Sequence, residues 1–96
     1  MNNLMWETIE EMNLGIAKRM RLIRKRKKIS QEMLATKSAV SLGSIKRFES
    51  TGEISLKSLT KIAVALNCEG DLKNLFTKVP YESIEEVINE SKSSRR

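Results

Sequence analysis

The chain has 96 residues, which is enough for one domain with a modest core, and it carries a formal net charge of +6. It contains one cysteine and no histidine, so it cannot form an internal disulfide and has almost no ligands for zinc. Without histidine or paired carboxylates in a cleft it also lacks a general base near neutral pH, which argues against an enzyme and implies no cofactor. Scattered β-branched residues favour an all-helical domain.

The basic charge is concentrated in one part of the chain. Residues 18–61 hold 13 Lys or Arg against three Glu, whereas residues 69–90 hold two Lys against six acidic residues. This asymmetry predicts a polyanionic partner on one face of the molecule. Because neither a secretion leader nor a membrane span is recognisable, we expect a cytoplasmic, nucleoid-associated protein.

Apolar residues recur every three or four positions near the N-terminus, and this spacing predicts a helix that ends at about Arg26. Asn13 and Gly15 weaken the pattern, since a glycine inside a helix costs about 1 kcal/mol relative to alanine. We favour a core helix that begins at about Leu14, with residues 1–12 as an N-terminal extension; the alternative is a helix along the whole stripe. The stripe consists of Met5, Ile9, Met12, Ile16, Met20 and Ile23.

Two serines predict the starts of the next two helices, because a serine oxygen caps the free amides of a first turn. Ser30 precedes a helix from Gln31 to Ser38, and Ser41 precedes a third helix through Ser50. Thr51-Gly52 ends that third helix with a residue that accepts a positive φ.

Apolar residues in these two helices have the spacing expected of the contact between two helices that cross at a tight turn. Small Ala35 permits a close crossing, Val40 seals the turn, and Ile45 and Phe48 turn one face of the third helix to the core. Such a helix-turn-helix holds its second helix in a DNA groove.

Three further segments follow the helix pair. Ser55 caps a fourth helix that stops at Asn67, Asp71 begins a short fifth helix, and Ser83 opens a weak sixth helix after Pro80. Residues 79–96 therefore form an acidic, amphipathic segment with a basic tail. The residues expected to face the core are Leu56, Leu59, Ile62, Ala63, Leu66, Leu72, Leu75 and Phe76.

A set of motif residues is spaced through the first four helices. They are Arg24, Ser30-Gln31, Leu34-Ala35, Ser38-Ala39-Val40-Ser41, Ile45, Phe48-Glu49 and the run from Leu59 to Asn67. In these positions the sequence resembles the Xre family, whose five-helix fold is that of the phage Cro and CI repressors. The resemblance implies a compact, lambda-repressor-like domain over residues 13–78 and a structural pair between Arg24 and Glu49.

Ala39 departs from the family pattern, which usually has glycine at this turn position. The resemblance implies a left-handed conformation here, which costs a residue with a β-carbon about 1 to 2 kcal/mol. We therefore expect a strained or slightly reshaped turn.

The segment from Arg47 to Leu56, RFESTGEISL, resembles HipB-like antitoxins, which are encoded beside HipA-type kinase toxins. The late acidic segment and the basic tail are part of the same resemblance. This resemblance implies a DNA-binding repressor that is also the antitoxin and autoregulator of its operon. The alternatives are a stand-alone or phage-type repressor without a toxin and a protein-interaction module that keeps the fold. RNA or anionic membrane binding through the basic run of helix one is a weaker alternative.

Family members use outward positions of helix three for bases or nearby phosphates. Arg47 is the best candidate, since a guanidinium can grip two acceptors on a guanine edge, although a solvated or phosphate-bound arginine is the alternative. Leu42 suits a thymine methyl, and the scarcity of polar readers leaves part of the specificity to DNA shape. The predicted base-contact residues are Ser41, Leu42, Lys46 and Arg47.

Phosphate contacts are expected at helix starts and within the basic run Lys18–Lys28, with capping or simple solvation as the alternative. The candidates are Ser30, Gln31, Ser44, Lys57, Ser58, Lys25, Lys27 and Lys28. The expected partner is a palindromic double-stranded operator bound by a homodimer. Apolar residues in the two tails either fold back on the domain or contact the second copy or a kinase-like partner: Leu4, Met5, Trp6, Tyr81, Ile84, Val87 and Ile88, with Met33 exposed on helix two.

Overall fold

The computed structural model describes residues 6–78 and Ile88. This part of the chain is all-helical, as predicted. Its helices are α1 (Ile9–Arg26), α2 (Gln31–Ser38), α3 (Leu42–Thr51), α4 (Leu56–Ala65) and α5 (Glu69–Lys73). None of the described helices is long and apolar enough to cross a bilayer.

Helix α1 is continuous from Ile9, so the predicted start at Leu14 is wrong. Thr8 caps the helix: its hydroxyl accepts from the Glu11 amide at 3.0 Å, and the Glu11 carboxylate accepts from the Thr8 amide at 2.8 Å. This reciprocal capping box satisfies two amides of the first turn. It offsets the poor helix propensity of Asn13 and Gly15 farther along.

A close contact with the end of α3 also supports this part of α1. Gly52 ends α3 with φ +85°, and a β-carbon added there would lie 2.6 Å from the Asn13 carbonyl carbon and 2.7 Å from the Leu14 amide nitrogen. Only glycine allows the two backbones to approach so closely. The contact fixes the end of α3 on α1 at the residues that the sequence pattern had marked as a break.

The apolar stripe of α1 is only partly in the core. Ala17 is fully buried, and Leu14, Met20 and Ile23 pack beside it. Ile9, Met12 and Ile16 are exposed, so these three members of the stripe lie outside the core.

The predicted helix pair is confirmed. Ser30 and Ser41 cap α2 and α3, with their hydroxyls accepting from the Met33 amide at 3.0 Å and the Ser44 amide at 3.1 Å. Ile45 and Phe48 are buried with Leu34, so one face of α3 is fixed on the core.

The turn between α2 and α3 has the left-handed residue that the resemblance implies. Ala39 has φ 60° and ψ 29°. Beside it, the buried Ser38 hydroxyl donates to the Leu34 carbonyl at 2.6 Å and accepts from the Val40 amide at 3.2 Å. These hydrogen bonds and the burial of Val40 stabilise a turn whose central residue is conformationally strained.

The last two helices agree with the prediction in their core and differ at their ends. Ile62, Ala63 and Leu66 are buried, whereas Leu56 at the first position of α4 is exposed. Helix α5 begins at Glu69 instead of Asp71 and ends at Lys73, and only Leu72 among its predicted core residues is half-buried. Leu75 and Phe76 are exposed because they follow the end of the helix, and Phe76 is left-handed with φ 60°.

Several predictions fall outside the described residues. These are the sixth helix from Ser83, the apolar residues Leu4, Met5, Tyr81, Ile84 and Val87, and the basic tail. Trp6, Met33 and Ile88 are described, and their side chains are exposed.

Replacing Ala39 with glycine should stabilise the protein by about 0.5 to 1 kcal/mol. Glycine removes about 1 to 2 kcal/mol of left-handed strain but adds about 0.5 to 1 kcal/mol of unfolded-state entropy. Urea unfolding followed by circular dichroism measures the difference. The matched control is Ala35→Gly inside α2, which should destabilise by about 1 kcal/mol. A loss of stability in Ala39→Gly equal to that of Ala35→Gly would contradict the assigned strain.

Candidate nucleic-acid interface

A buried ion pair joins α1 to α3. Arg24 donates to both carboxylate oxygens of Glu49, from Nε at 2.7 Å and from Nη2 at 2.9 Å. Its third nitrogen, Nη1, donates to the Ile29 carbonyl at 2.8 Å in the loop before α2. The two charged side chains are only 8% and 5% exposed, so the guanidinium joins three segments of the chain inside the domain.

Glu49 has a further hydrogen-bond donor on α2 and a second cation nearby on α1. The Gln31 side-chain amide donates to Oε1 at 2.9 Å, and Arg21 Nε lies 3.8 Å from the same oxygen. Burial raises the pKa of Glu49, but the hydrogen bonds from Arg24 and Gln31 and the charges of Arg24 and Arg21 outweigh it, so the pKa lies below its ordinary value of 4.5. The carboxylate is therefore charged at neutral pH and fixes the relative positions of α1, α2 and α3.

Helix α3 has one face in the core and one in solvent. Ile45 and Phe48 are buried, whereas Lys46 and Arg47 are exposed and Leu42 is half-buried at the start of the helix. Two of the predicted base-contact residues thus project from a helix whose opposite face is fixed. This is the arrangement that a groove-binding helix requires.

Of the four serines predicted to contact DNA, Ser30 and Ser41 are N-cap residues, whereas Ser44 and Ser58 donate their amides to a cap. The Ser41 hydroxyl, besides capping α3, donates to the Ser44 hydroxyl at 2.8 Å. Ser55 caps α4 by accepting from the Ser58 amide at 3.1 Å. The capping alternative is therefore present in the structure for Ser30 and Ser41, and DNA contacts by all four serines stay predictions.

The basic run of α1 lies almost entirely in solvent. All eight of its Lys and Arg side chains except Arg24 are exposed. Lys27 is the C-cap of α1 and Lys28 is left-handed with φ 58°, so both lie in the loop that leads directly to Ser30 and α2. Lys25, Lys27 and Lys28 also suit the negative end of the α1 dipole. Lys57, in the first turn of α4, is exposed as well.

Arg47 has a partner that the sequence did not reveal. Its Nε donates to Glu53 Oε1 at 3.2 Å, and its Nη2 donates to the same oxygen. Both side chains are more than 60% exposed, and the hydrogen bonds and charge of Glu53 raise the pKa of Arg47. The guanidinium is thus held at one edge while the rest of it faces solvent.

Arg47 and Glu53 line a shallow depression between α3 and the start of α4. It has a volume of about 350 Å³, and its other lining residues are Ser44, Ile54, Ser55 and Ser58. The structure therefore brings Arg47, Ser44 and Ser58, three of the predicted contact residues, to one depression. Glu53 places a carboxylate among them.

The comparison with protein families agrees with this geometry. A family model described as HTH_3, "Helix-turn-helix", matches residues 20–73, more than half of the chain. The chain belongs to this helix-turn-helix family. No curated protein and no solved structure gave a significant match.

Membership of the helix-turn-helix family, of the Xre and Cro-CI type, confirms the lambda-repressor-like fold and makes the chain a DNA-binding transcription regulator. The match spans the C-terminal part of α1, the helix pair, the last two helices and the loops between them, and so it contains every predicted contact residue. The family match applies to the domain as a whole, so the role of each residue must be argued from its position in the structure.

Two features were missed in the sequence, the capping box at the start of α1 and Glu53 beside Arg47, and each had a signal. Thr8-x-x-Glu11 has the spacing of a capping box, which predicts a helix start before Asn13. Glu53 follows Gly52, and a left-handed glycine there turns the chain back along the side of α3 toward Arg47. The second signal becomes readable only once the conformation of the turn is known.

Replacing Glu49 with glutamine should destabilise the domain by about 3 kcal/mol at neutral pH, because it leaves the Arg24 charge buried without a counter-charge. Since the pKa of Glu49 is lower in the folded state, its contribution is complete above about pH 4.5 and is lost as the pH falls through the folded pKa. The variant should therefore lose less stability than the wild type below pH 4.5. Urea unfolding at pH 7, 4.5 and 3 measures both effects.

Glu53→Gln is the matched control, since it removes the same charge from an exposed ion pair. It should change stability little, because exposed pairs contribute little to folding. Equal losses at neutral pH in Glu49→Gln and Glu53→Gln would contradict the structural role assigned to the buried pair.

Proposed function

We propose that the chain is a sequence-specific repressor that binds a palindromic operator as a homodimer. The observation that carries this proposal is the outward face of α3, where Lys46 and Arg47 are exposed on a helix whose opposite face is fixed in the core. A rigid, basic helix face of this kind suits base readout in the major groove.

In this proposal α3 enters the major groove and the surrounding elements contact the backbone. Arg47 binds a guanine edge, Lys46 binds an adjacent base or phosphate, and Leu42 contacts a thymine methyl. The amides at the start of α2, beside Ser30 and Gln31, receive a phosphate. The Gln31 side chain reaches Glu49, so its contribution is to fix this helix start as well as to contact DNA. The remaining phosphate contacts are assigned to Ser44, Lys57, Ser58, Lys25, Lys27 and Lys28.

We propose a dimer because one α3 is too short to contact a whole operator. A single α3 reads only a few base pairs, so two copies on half-sites about one helical turn apart supply the affinity of a repressor. Bound across a promoter, such a dimer represses by excluding the transcription machinery.

We further propose that the repressor is the antitoxin of a HipA-type toxin-antitoxin operon and regulates its own promoter. The sequence segment RFESTGEISL supports the antitoxin role. Apolar surface outside the helix pair also supports it, since Met12, Leu75 and Phe76 are exposed there. The test is the neighbouring gene: a kinase-like product that co-purifies with this chain supports the antitoxin role. A neighbourhood without a kinase-like reading frame contradicts it and leaves a stand-alone repressor.

Replacing Arg47 with alanine should weaken binding to a duplex of the gene's own upstream region by roughly tenfold or more, because a bidentate guanine contact is lost. Lys46→Ala should weaken it by a few-fold and reduce the log-log salt slope by about 0.9 if it contacts a phosphate. Fluorescence anisotropy at several salt concentrations, against a scrambled duplex of the same length, measures both variants.

Lys73→Ala is the control, since it removes an exposed positive charge from α5, outside the helix pair. It should leave binding almost unchanged. Wild-type binding that does not distinguish the upstream region from scrambled DNA would contradict the repressor. Undiminished binding of the upstream duplex by both Arg47→Ala and Lys46→Ala would show that another surface binds DNA. That result would favour the alternative of a protein-interaction module that keeps the fold.

A further inference from the structure

We infer that Glu53 is a specificity-determining residue that positions Arg47 for base readout and disfavours its use on the DNA backbone. This inference deepens the proposed DNA-binding function and depends on it. It begins with the way the guanidinium is held.

Glu53 occupies one edge of the Arg47 guanidinium and leaves the other free. A single carboxylate oxygen accepts from Nε and from Nη2, so the side edge of the guanidinium is occupied. The end edge, formed by Nη1 and the second hydrogen of Nη2, has no partner among the described residues. An arginine that grips the two acceptors of a guanine presents two adjacent donors. The free end edge supplies them.

The loop that carries Glu53 is itself fixed in place. The Glu53 amide donates to the Thr51 hydroxyl at 3.1 Å, and that hydroxyl donates to the Arg47 carbonyl at 2.7 Å. Between them, Gly52 packs against the α1 backbone so closely that no side chain fits. The backbone of Glu53 is thus held at a defined position beside Arg47, next to the end of α3.

The charge of Glu53 acts against non-specific binding. It lines the depression that also contains Ser44 and Ser58, where phosphate contacts are proposed. A carboxylate at this position neutralises the arginine that would otherwise bind a phosphate. On a matching guanine the end edge of Arg47 still forms its two hydrogen bonds. Glu53 therefore lowers affinity for random DNA more than affinity for the operator, which is specificity by disfavouring the wrong partner.

The test is Glu53→Gln, which keeps the size of the side chain and removes its charge. Binding is measured by anisotropy with the upstream duplex and with the scrambled duplex, at several salt concentrations. The variant should bind scrambled DNA roughly threefold to tenfold more tightly, with a salt slope steeper by about 0.9 as Arg47 gains a phosphate. The ratio of upstream to scrambled affinity should fall by at least threefold.

Two further variants separate positioning from a general charge effect. Asp71→Asn removes an exposed acidic charge from α5 and should leave the affinity ratio unchanged. In an Arg47→Ala background, Glu53→Gln should no longer change the ratio, because the carboxylate acts through the arginine.

The outcomes are distinguishable from failure of the proposed function. If the wild type distinguishes the two duplexes and Glu53→Gln keeps the same ratio, the inference is overturned while the repressor proposal stands. The same holds if Glu53→Gln lowers the ratio equally with and without Arg47. If the wild type does not distinguish the duplexes at all, the proposed function fails first and the inference fails with it.

Discussion

The buried pair between Arg24 and Glu49 is the constraint on which the rest of the domain depends. It joins α1, the loop before α2 and the end of α3, and Gln31 adds α2 to the same carboxylate. Replacing such a pair with apolar residues is often neutral for stability, so its contribution is better understood as orientation. Planar, bidentate hydrogen bonding fixes α3 against α1 more precisely than an apolar contact does.

Orientation matters to the proposed function because the exposed face of α3 has few groups that could read bases. Arg47 and Lys46 are the long polar side chains in its middle, so a small rotation of the helix would displace both from a groove. Two left-handed residues, Ala39 before α3 and Gly52 after it, set where the helix begins and ends. Glu53 follows the second of them and holds Arg47, so the same backbone geometry that places the helix also places the residue proposed to read a base.

Most of the fold could be predicted from the sequence because its signals are local. Ser30, Ser41 and Ser55 cap helices as expected, and Ile45, Phe48 and Ile62 fill the core. The start of α1 could not be predicted from periodicity, since the contact that offsets Asn13 and Gly15 comes from Gly52, far along the chain. The exposure of Leu75 and Phe76 depends on where α5 ends, and the role of Glu53 depends on the conformation of a turn. These are tertiary effects that hydrophobic periodicity does not encode, although the start of α1 also had a local signal in the Thr8–Glu11 capping box.

The central claim is that α3 reads DNA as one half of a symmetric dimer. Selection of bound duplexes from random oligonucleotides by the full chain, followed by sequencing, tests it most directly because it reports base preference and dimer geometry together. The account predicts recovered duplexes with two inverted half-sites whose centres are about 10 base pairs apart, each with an invariant guanine for Arg47. Recovery of sequences without a shared motif, or of single uninverted sites, would contradict it.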